Sequence, residues 1–384
     1  MSILEQITGF SERILQSFKK TGGSVVGIDI GPSSIKVVQL RKEKGRAVLE
    51  TYGELALGPY ADLEVGQATN LPAEKLAEAL TDVMREAHVT TKNAAFSIPL
   101  VSSLISIISL PAVSEAELKE MVPIEARKYI PVPISEIMLD WWVIPRRDSE
   151  AEELEKEVGG EKAKPEDQNR IDILLVAIHN SVIATYERIA QQAGLTIGFL
   201  EIEAFSSIRS LVPLGLTPFL ILDMGANTTN VSIVENGIVY RSHVISRGSQ
   251  DITMALSRSQ NMTILQAEEK KREFGLVESS DGENIVAGSA RLIIEGILFD
   301  VNRILLDYEK KQHKAVSKVI LAGGGSLIKG MLPLAEKNFE TEVVYGSPFA
   351  KVETPAFLEP VLKEIGPSFA IALGVALRRA QEIE

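Results

Sequence analysis

One short pattern occurs twice in this chain of 384 residues and restricts its fold more than any other feature. Val25-Val26-Gly27-Ile28-Asp29-Ile30-Gly31-Pro32-Ser33-Ser34-Ile35-Lys36-Val37-Val38 returns in altered form as Phe219-Leu220-Ile221-Leu222-Asp223-Met224-Gly225-Ala226-Asn227-Thr228-Thr229-Asn230-Val231-Ser232-Ile233-Val234, an offset of 223 − 29 = 194 residues. In each copy an apolar, β-rich run ends in Asp-x-Gly. A hydroxyl follows five positions after the aspartate (Ser34, Thr228), and a second apolar run begins near the eighth (Val37, Val231). Glycine lets such a turn approach a ligand closely, and successive N–H groups in the turn make an anion-binding nest. The aspartate supplies a carboxylate. Magnesium keeps much of its water and takes only one or two protein carboxylates beside phosphate oxygens, so one aspartate per hairpin suits it. A lone Asp-Gly turn commonly just joins two strands. Two copies with matched hydroxyl spacing predict a pair of facing hairpins that hold a nucleotide.

The rest of the composition narrows the class. At this length two or more domains are expected. Lys and Arg number 40 against 52 Asp and Glu, a formal net charge of −12, which argues against binding nucleic acid by bulk charge. There is no cysteine, hence no disulfide framework, thiolate nucleophile or cysteine metal site, and the cytoplasm is the expected compartment. No uncharged apolar run approaches 18 residues, and the start lacks the pattern of a signal peptide. The four histidines, His88, His179, His243 and His313, stand far apart and outside any metal-ligand spacing. Neither a P-loop pattern nor a G-x-S-x-G elbow is present.

Along the chain, Ile3, Ile7, Phe10, Ile14 and Phe18 alternate steps of four and three, which predicts an amphipathic helix over 2–20. It serves either as a membrane-surface or partner-binding arm or as a helix packed on the body. Helices are expected from Pro72 to about His88, from Ser114 with a Ser-x-x-Glu cap, and from about Ser181 to Ala193. Further helices are expected over Gln250–Ser259, Thr263–Phe274, Gly288–Tyr308 and from Phe369 to about Ile383. Strands are expected over Ala94–Ile98, Ser103–Leu110, Ile171–Ile178, Ile197–Glu201 and Lys318–Leu321. The stretch Asp148–Arg170 is highly charged and reads as a solvated connection. The last strand runs into Gly323-Gly324-Gly325-Ser326, a strand–glycine–helix platform suited to phosphate or nucleoside. Glu201 and Glu203, at a strand end before a helix, are the candidate water-orienting carboxylates, either one serving.

This order of parts resembles the actin-like ATPase superfamily over nearly the whole chain. The resemblance implies an α/β fold of two lobes, each with a ribonuclease-H-like core, plus a 1C-type insertion subdomain and a 2B subdomain. The implied boundaries are 24–93, 173–215 and 366–384 for subdomain 1A, 94–172 for 1C, 216–256 with 316–365 for 2A, and 257–315 for 2B, after a helix and linker over 1–23. By the same resemblance Asp29 and Asp223 coordinate magnesium through water. Gly31, Ser33, Ser34, Lys36, Gly225, Asn227, Thr228 and Thr229 hold phosphates. Gly323, Gly324, Gly325 and Ser326 line the adenosine side, with Glu268 and Lys271 carried over from an Ala-Glu-x-x-Lys helix; the alternative for that pair is a charge-laced surface helix.

Glu125-Ala126-Arg127-Lys128-Tyr129-Ile130-Pro131-Val132-Pro133, followed by Leu139-Asp140-Trp141, is similar to the PilM family of type IV pilus assembly proteins. That likeness implies a cytoplasmic scaffold, peripheral to the inner membrane, that binds ATP or ADP with magnesium and has at most weak ATPase activity. Its implied partners are other pilus assembly proteins and the N-terminal tail of PilN, received between subdomains 1A and 1C. The competing readings are a cell-division FtsA and, less favoured, a small-molecule kinase of the same superfamily.

Overall fold

The repeat in the sequence is a repeat of whole sheets. The computed structural model describes residues 23–144, 170–213, 217–277 and 285–382. The expected N-terminal helix, and all of the acidic stretch except Arg170, lie outside the described residues. In chain order the structure runs β1 (Ser24–Ile30), β2 (Ser34–Glu43), β3 (Arg46–Ala56), α1 (Ala73–Glu86), β4 (Asn93–Ile98), β5 (Ser103–Pro111), α2 (Glu115–Ala126), β6 (Ile137–Ile144) and β7 (Arg170–His179). It continues through α3 (Asn180–Gln192), β8 (Thr196–Ile202), α4 (Glu203–Leu211), β9 (Phe219–Met224), β10 (Thr229–Glu235), β11 (Ile238–Ile245), α5 (Ser249–Gln260), α6 (Ile264–Phe274) and α7 (Ile285–Gln312). It ends with β12 (Lys318–Ala322), α8 (Met331–Asn338), β13 (Glu342–Tyr345), α9 (Glu359–Ile365) and α10 (Ala370–Glu382).

Two five-stranded sheets have the same order and sense, β3-β2-β1-β4-β8 and β11-β10-β9-β12-β13. In each, three strands are joined antiparallel by tight turns, and two later strands add in parallel. The likeness extends to a defect. The register slips between Gln39 and Leu40 in the first sheet and between Ile233 and Val234 in the second, ten and eleven residues after the respective aspartates. A bulge sharpens the local twist of its strand, so both hairpins bend at the same place. The central strands β1 and β9 are near-continuous apolar runs, and nearly all of their residues are buried.

The first sheet packs against α10 through Val25, Val38, Leu40, Phe199, Leu373 and Ala376. The second shares one core with α5, α6 and α7, in which Leu220, Leu222, Ile252, Ala267, Ile294 and Ile297 are all buried. Small residues make the α10 packing possible. A Cβ on Gly374 would lie 2.0 Å from the Ser206 carbonyl oxygen of α4, so the glycine lets the two helices approach backbone to backbone. One stretch, Ala356–Ala380, is apolar and long enough to cross a membrane by composition, but 67% of its window is buried inside the protein.

The described residues divide into two compact units, one within Val101–Ile183 and one made of residues 23–100 with those from Ala184 onward. The smaller one is a three-stranded sheet, β5-β7-β6, covered by α2. Helix α2 begins as expected, with Ser114 accepting from the Glu117 amide and Glu117 reaching back to the Ser114 amide, and it continues through Pro123. Two expected boundaries are corrected here. β4, assigned to the insertion, pairs in parallel with β1 (Val26↔Ala94, Ile28↔Phe96). β7, assigned from residue 173 to the first lobe, is the middle strand of the insertion sheet. Both have short apolar centres, residues 94–96 and 173–178, and such runs report burial without saying which sheet receives them.

Candidate functional site

The site begins with the two repeated turns. Gly31 N–H donates to the Ser34 carbonyl at 3.0 Å, and Gly225 N–H donates to the Thr228 carbonyl at 2.9 Å. Neither glycine has positive φ. A Cβ would stand 3.3 Å from the Ser34 oxygen and 3.1 Å from the Thr228 oxygen, so glycine serves close closure of the turn and not a left-handed backbone. Across the ladder, Asp29 pairs with Lys36 and Asp223 with Asn230, both seven residues on.

Three carboxylates influence one another at these turns. Asp29 accepts from Ser97 Oγ at 2.8 Å; burial lifts its carboxyl above the usual range, against the pull of Lys36 and Ser97. Asp223 is buried, and burial together with the Asp29 charge raises it to about 7. Glu203, in the first turn of α4, is raised to about 8 by burial and then by Asp223, with Asp29 adding to the effect. Its Oε1 accepts from the Leu100 amide at 2.6 Å and from Asn230 Nδ2 at 2.7 Å. Like charges crowded in a low-dielectric cleft resist joint ionisation. The arrangement therefore suits either a shared proton or a cation.

Glu201 and Glu203 have separate roles. Glu201 is buried. It receives Arg209 through two hydrogen bonds (2.6 and 2.8 Å), Arg378 at 3.0 Å and Ser206 at 2.7 Å. Burial opposes its ionisation, yet the two guanidiniums hold its carboxyl below the usual range. Arg378 also lies 4.4 Å from the Phe199 ring centroid. Both oxygens of Glu201 are thus spent tying β8, α4 and α10 together, which removes it as a water-orienting group. Glu203 is the member of the pair that stands with the aspartates.

Other residues expected at the site divide in the same way. Lys36 Nζ bonds Ser34 Oγ at 2.8 Å and Glu54 at 3.0 Å, and its charge lowers both Asp29 and Asp223. Ser33 and Thr228 lie on the turns, and Asn227 is exposed beside the start of α5. Thr229, expected on phosphate, is buried and donates to the Arg247 carbonyl at 2.8 Å. Ser326 is also turned inward, donating to the Gly323 carbonyl at 2.7 Å. Gly323 has φ +79°, and a Cβ there would fall 2.3 Å from Asp223 Oδ1, so the glycine run closes over that carboxylate. Gly324 meets only Ser368 at 4.0 Å, and Gly325 packs against Met224. Glu268 and Lys271 form neither a surface pair nor an open pocket. They are buried, 2.6 Å apart, and share Thr253 at 2.8 and 2.9 Å.

Three contributors had no local signal in the sequence. Ser97 reaches Asp29 from β4, Glu54 reaches Lys36 from β3, and Asn230 orients Glu203. Only Asn230 was findable, as the counterpart of Lys36 at the same offset.

A strap of residues 57–70 joins the two turns. Thr69 N–H donates to the Pro32 carbonyl at 2.7 Å, Ala68 N–H to Gln250 Oε1 at 3.1 Å, and the Leu265 amide to Glu64 Oε2 at 2.7 Å. Gln250 N–H in turn bonds the Ala226 carbonyl of the second turn at 2.9 Å. Within the strap Gln67 Oε1 is buried with no hydrogen-bond partner among the described residues. One open cavity, lined by Asn227, Gln250 and Arg258, adjoins the second turn, and another lies between β11 and α7. Among the described residues no three His, Asp or Glu side chains converge as direct ligands of one metal.

The comparisons agree with this architecture. The family described as Type IV pilus assembly protein PilM matches residues 27–380. A solved structure of the PilM-PilN type IV pilus biogenesis complex superposes with a TM-score of 0.75 at 24% identity, covering 93% of this chain and 98% of that one. The cell division protein FtsA of Neisseria meningitidis serogroup B is 24% identical over 343 residues, 79% of this chain and 80% of the relative. FtsA of Buchnera aphidicola subsp. Baizongia pistaciae is 25% identical over 205 residues, 45% of this chain and 48% of the relative. The chain thus spans about half the length of this last relative. The fold is the actin-like one.

Proposed function

The chain belongs to the type IV pilus assembly protein PilM family, and from that premise we propose that it is a nucleotide-binding scaffold of the pilus inner-membrane complex. The observation that carries the nucleotide part is the mutual charge coupling of Asp29, Asp223 and Glu203 at two matched turns. A buried group of like charges is stable only when protonated or when faced by a cation. ATP or ADP with magnesium supplies both the cation and the anionic groups that fit the turn amides. Asp29 and Asp223 would hold the magnesium through its water shell. Gly31, Ser33, Gly225, Asn227 and Thr228 face phosphate, while Lys36, already paired with Glu54, supplies positive charge. Of the three glycines, Gly324 is the one that would leave room on the nucleoside side, Gly323 and Gly325 being closed against Asp223 and Met224. Gln67 Oε1 is an acceptor left open for a donor on the ligand, since buried polar atoms are rarely left unpartnered.

Glu203 is the proposed water-orienting group. Its amide partners fix one oxygen, and its raised affinity for a proton falls when a cation neutralises Asp223 and Asp29. A carboxyl titrating near neutrality is suited to accept a proton from water. Weak turnover is the reading, with binding as the main output.

The partner proposal rests on the insertion. The solved relative is a complex with PilN. In this chain the insertion exposes Val101, Ile124, Tyr129 and Val143, and β5 and β6 are the edges of its sheet. An extended apolar tail adds to such edges through main-chain hydrogen bonds while its side chains take apolar contacts. Cytoplasmic placement beside the inner membrane follows from that partner. Calorimetric titration of ATP with and without magnesium tests the first part; binding that ignores both magnesium and the Asp223→Ala change would refute it. Capture of the protein by an immobilised PilN N-terminal peptide tests the second. Sugar-dependent ATP turnover without capture would favour a kinase instead.

A further inference from the structure

Helix α7 is 28 residues long, about 42 Å at 1.5 Å per residue. One face, with Ala290, Ile294, Ile297, Leu298, Val301 and Leu305, belongs to the core of the second sheet. On the opposite face Leu292, Phe299 and Leu306 are 75%, 69% and 64% exposed. Single exposed apolar residues are ordinary on any protein. Three large ones spaced by sevens lie on one line of a helix, which is the arrangement of a helix-pairing seam.

The charges beside the seam say what covers it. We propose that α7 pairs antiparallel with α7 of a second copy of this chain, about a two-fold axis at Phe299. In such a pair, positions equally far before and after Phe299 meet. Leu292 then meets Leu306, Glu295 meets Arg303, Arg291 meets Asp307, and Gly288 meets Lys310. Every charged match is of opposite sign, and symmetry makes each occur twice. The parallel arrangement sets Glu295 on Glu295 and Arg303 on Arg303, which repel. Arg303 holds its neighbour Asp300 only at 3.5 Å and is largely exposed, so it is free to swing toward Glu295 of the second copy. Asp307 already collects Arg241 and Lys311, and a further cation adds to that cluster. At the axis two Phe299 rings meet in the offset or edge contacts aromatic pairs prefer. A partner helix of unrelated sequence leaves this mirror pattern without a cause. One helix pair is a small interface, so the dimer is concentration-dependent, with a dissociation constant on the order of micromolar.

The chain has no cysteine, which makes the geometry directly testable in the full-length protein. Phe299→Cys places a single thiol on the axis, and mild oxidation is expected to yield a disulfide-linked dimer. Leu292→Cys alone and Leu306→Cys alone are expected to stay unlinked, because each position lies roughly 21 Å from its own copy along the antiparallel pair. A mixture of the two variants is expected to link. In sedimentation, Glu295→Arg is expected to weaken the dimer about tenfold, and Glu295→Arg with Arg303→Glu to restore it, far-UV circular dichroism showing each variant folded. The proposal is overturned by a wild-type chain that stays monomeric at 100 µM. It is equally overturned by Leu292→Cys linking to itself as readily as Phe299→Cys. Failure of Phe299→Cys to link, the result if residues 3–18 of the same chain or a pilus partner covered the seam, also overturns it.

Discussion

The two repeated hairpins share topology, turn and bulge, yet they place different chemistry opposite their aspartates. In the first, Asp29 faces Lys36, whose charge is shared with Glu54, and Ser97 supplies a further hydrogen bond. In the second, Asp223 faces Asn230, an uncharged amide committed to Glu203. The first hairpin therefore carries a resident cation and the second does not. Burial first, and then the neighbouring carboxylates, raise Asp223 to about 7 and Glu203 to about 8, and neither is directly paired with a cationic side chain. Duplication supplied two equivalent grips, and one position in each decided which became the electrostatically unsatisfied half.

This asymmetry is open to attack in order of expected effect. Asp223→Ala is expected to weaken magnesium-dependent ATP binding by about 100-fold or more, and Asp29→Ala by only about tenfold, because Lys36 remains near the phosphates. Titration calorimetry decides this, and equal losses would erase the distinction between the hairpins. Next, Asn230→Lys gives the second hairpin the cation of the first. It is expected to pull both Asp223 and Glu203 down and to lower magnesium affinity about tenfold; an unchanged affinity means the amide is not what sets the difference.

Removal of the Glu201 anchor is a control outside the comparison. Glu201→Ala strands two buried guanidiniums and is expected to cost about 3–5 kcal/mol of stability, read as a fall in denaturation midpoint, whereas Glu203→Gln is not expected to destabilise at neutral pH.

The smallest effect concerns pH. Asp223 and Glu203 have folded values above the ordinary 3.8 and 4.5 of an aspartate and a glutamate. Between those limits the folded chain binds more protons than the unfolded one, so this contribution to stability is full below about pH 4 and is lost as pH rises to about 8. The ligand-free melting temperature is expected to drop by a few degrees between pH 5 and 8.5 from these groups and then level off. Glu203→Gln should flatten the upper part of that fall in a thermal-shift series, and an unaltered profile would show that Glu203 does not titrate there.

Much of this was legible in the chain because it depends on local pattern. The repeated Asp-x-Gly turns, the Ser114 cap and the helical spacing of α5 to α7 all act over a few residues. Glu201 and Glu203 were indistinguishable because the chain changes from strand to helix between them. That change aims one carboxylate at Arg209 and Arg378 and the other at the aspartates, and those arginines are 8 and 177 residues away from Glu201. Ser97 and Glu54 come from neighbouring strands, a relation fixed by sheet order and not by spacing. The hydroxyls of Thr229 and Ser326 were misread for a related reason. A hydroxyl bonds backbone as readily as a ligand, local backbone for Ser326 and the distant Arg247 carbonyl for Thr229, and only the fold shows which way it points. The misplaced insertion boundaries reflect strands whose short apolar centres carry no address.

The strap from Leu57 to Asn70 carries a consequence of a different kind. Its bonds to Pro32, Gln250 and Leu265 each contribute about 1 kcal/mol, and opening all three together would slow passage by about two orders of magnitude. If the proposed nucleotide sits beneath it, release would also require those bonds of the protein to break. ATP and ADP would then have similar residence times despite different affinities, and the protein's occupancy would record past exposure to nucleotide as much as its present concentration.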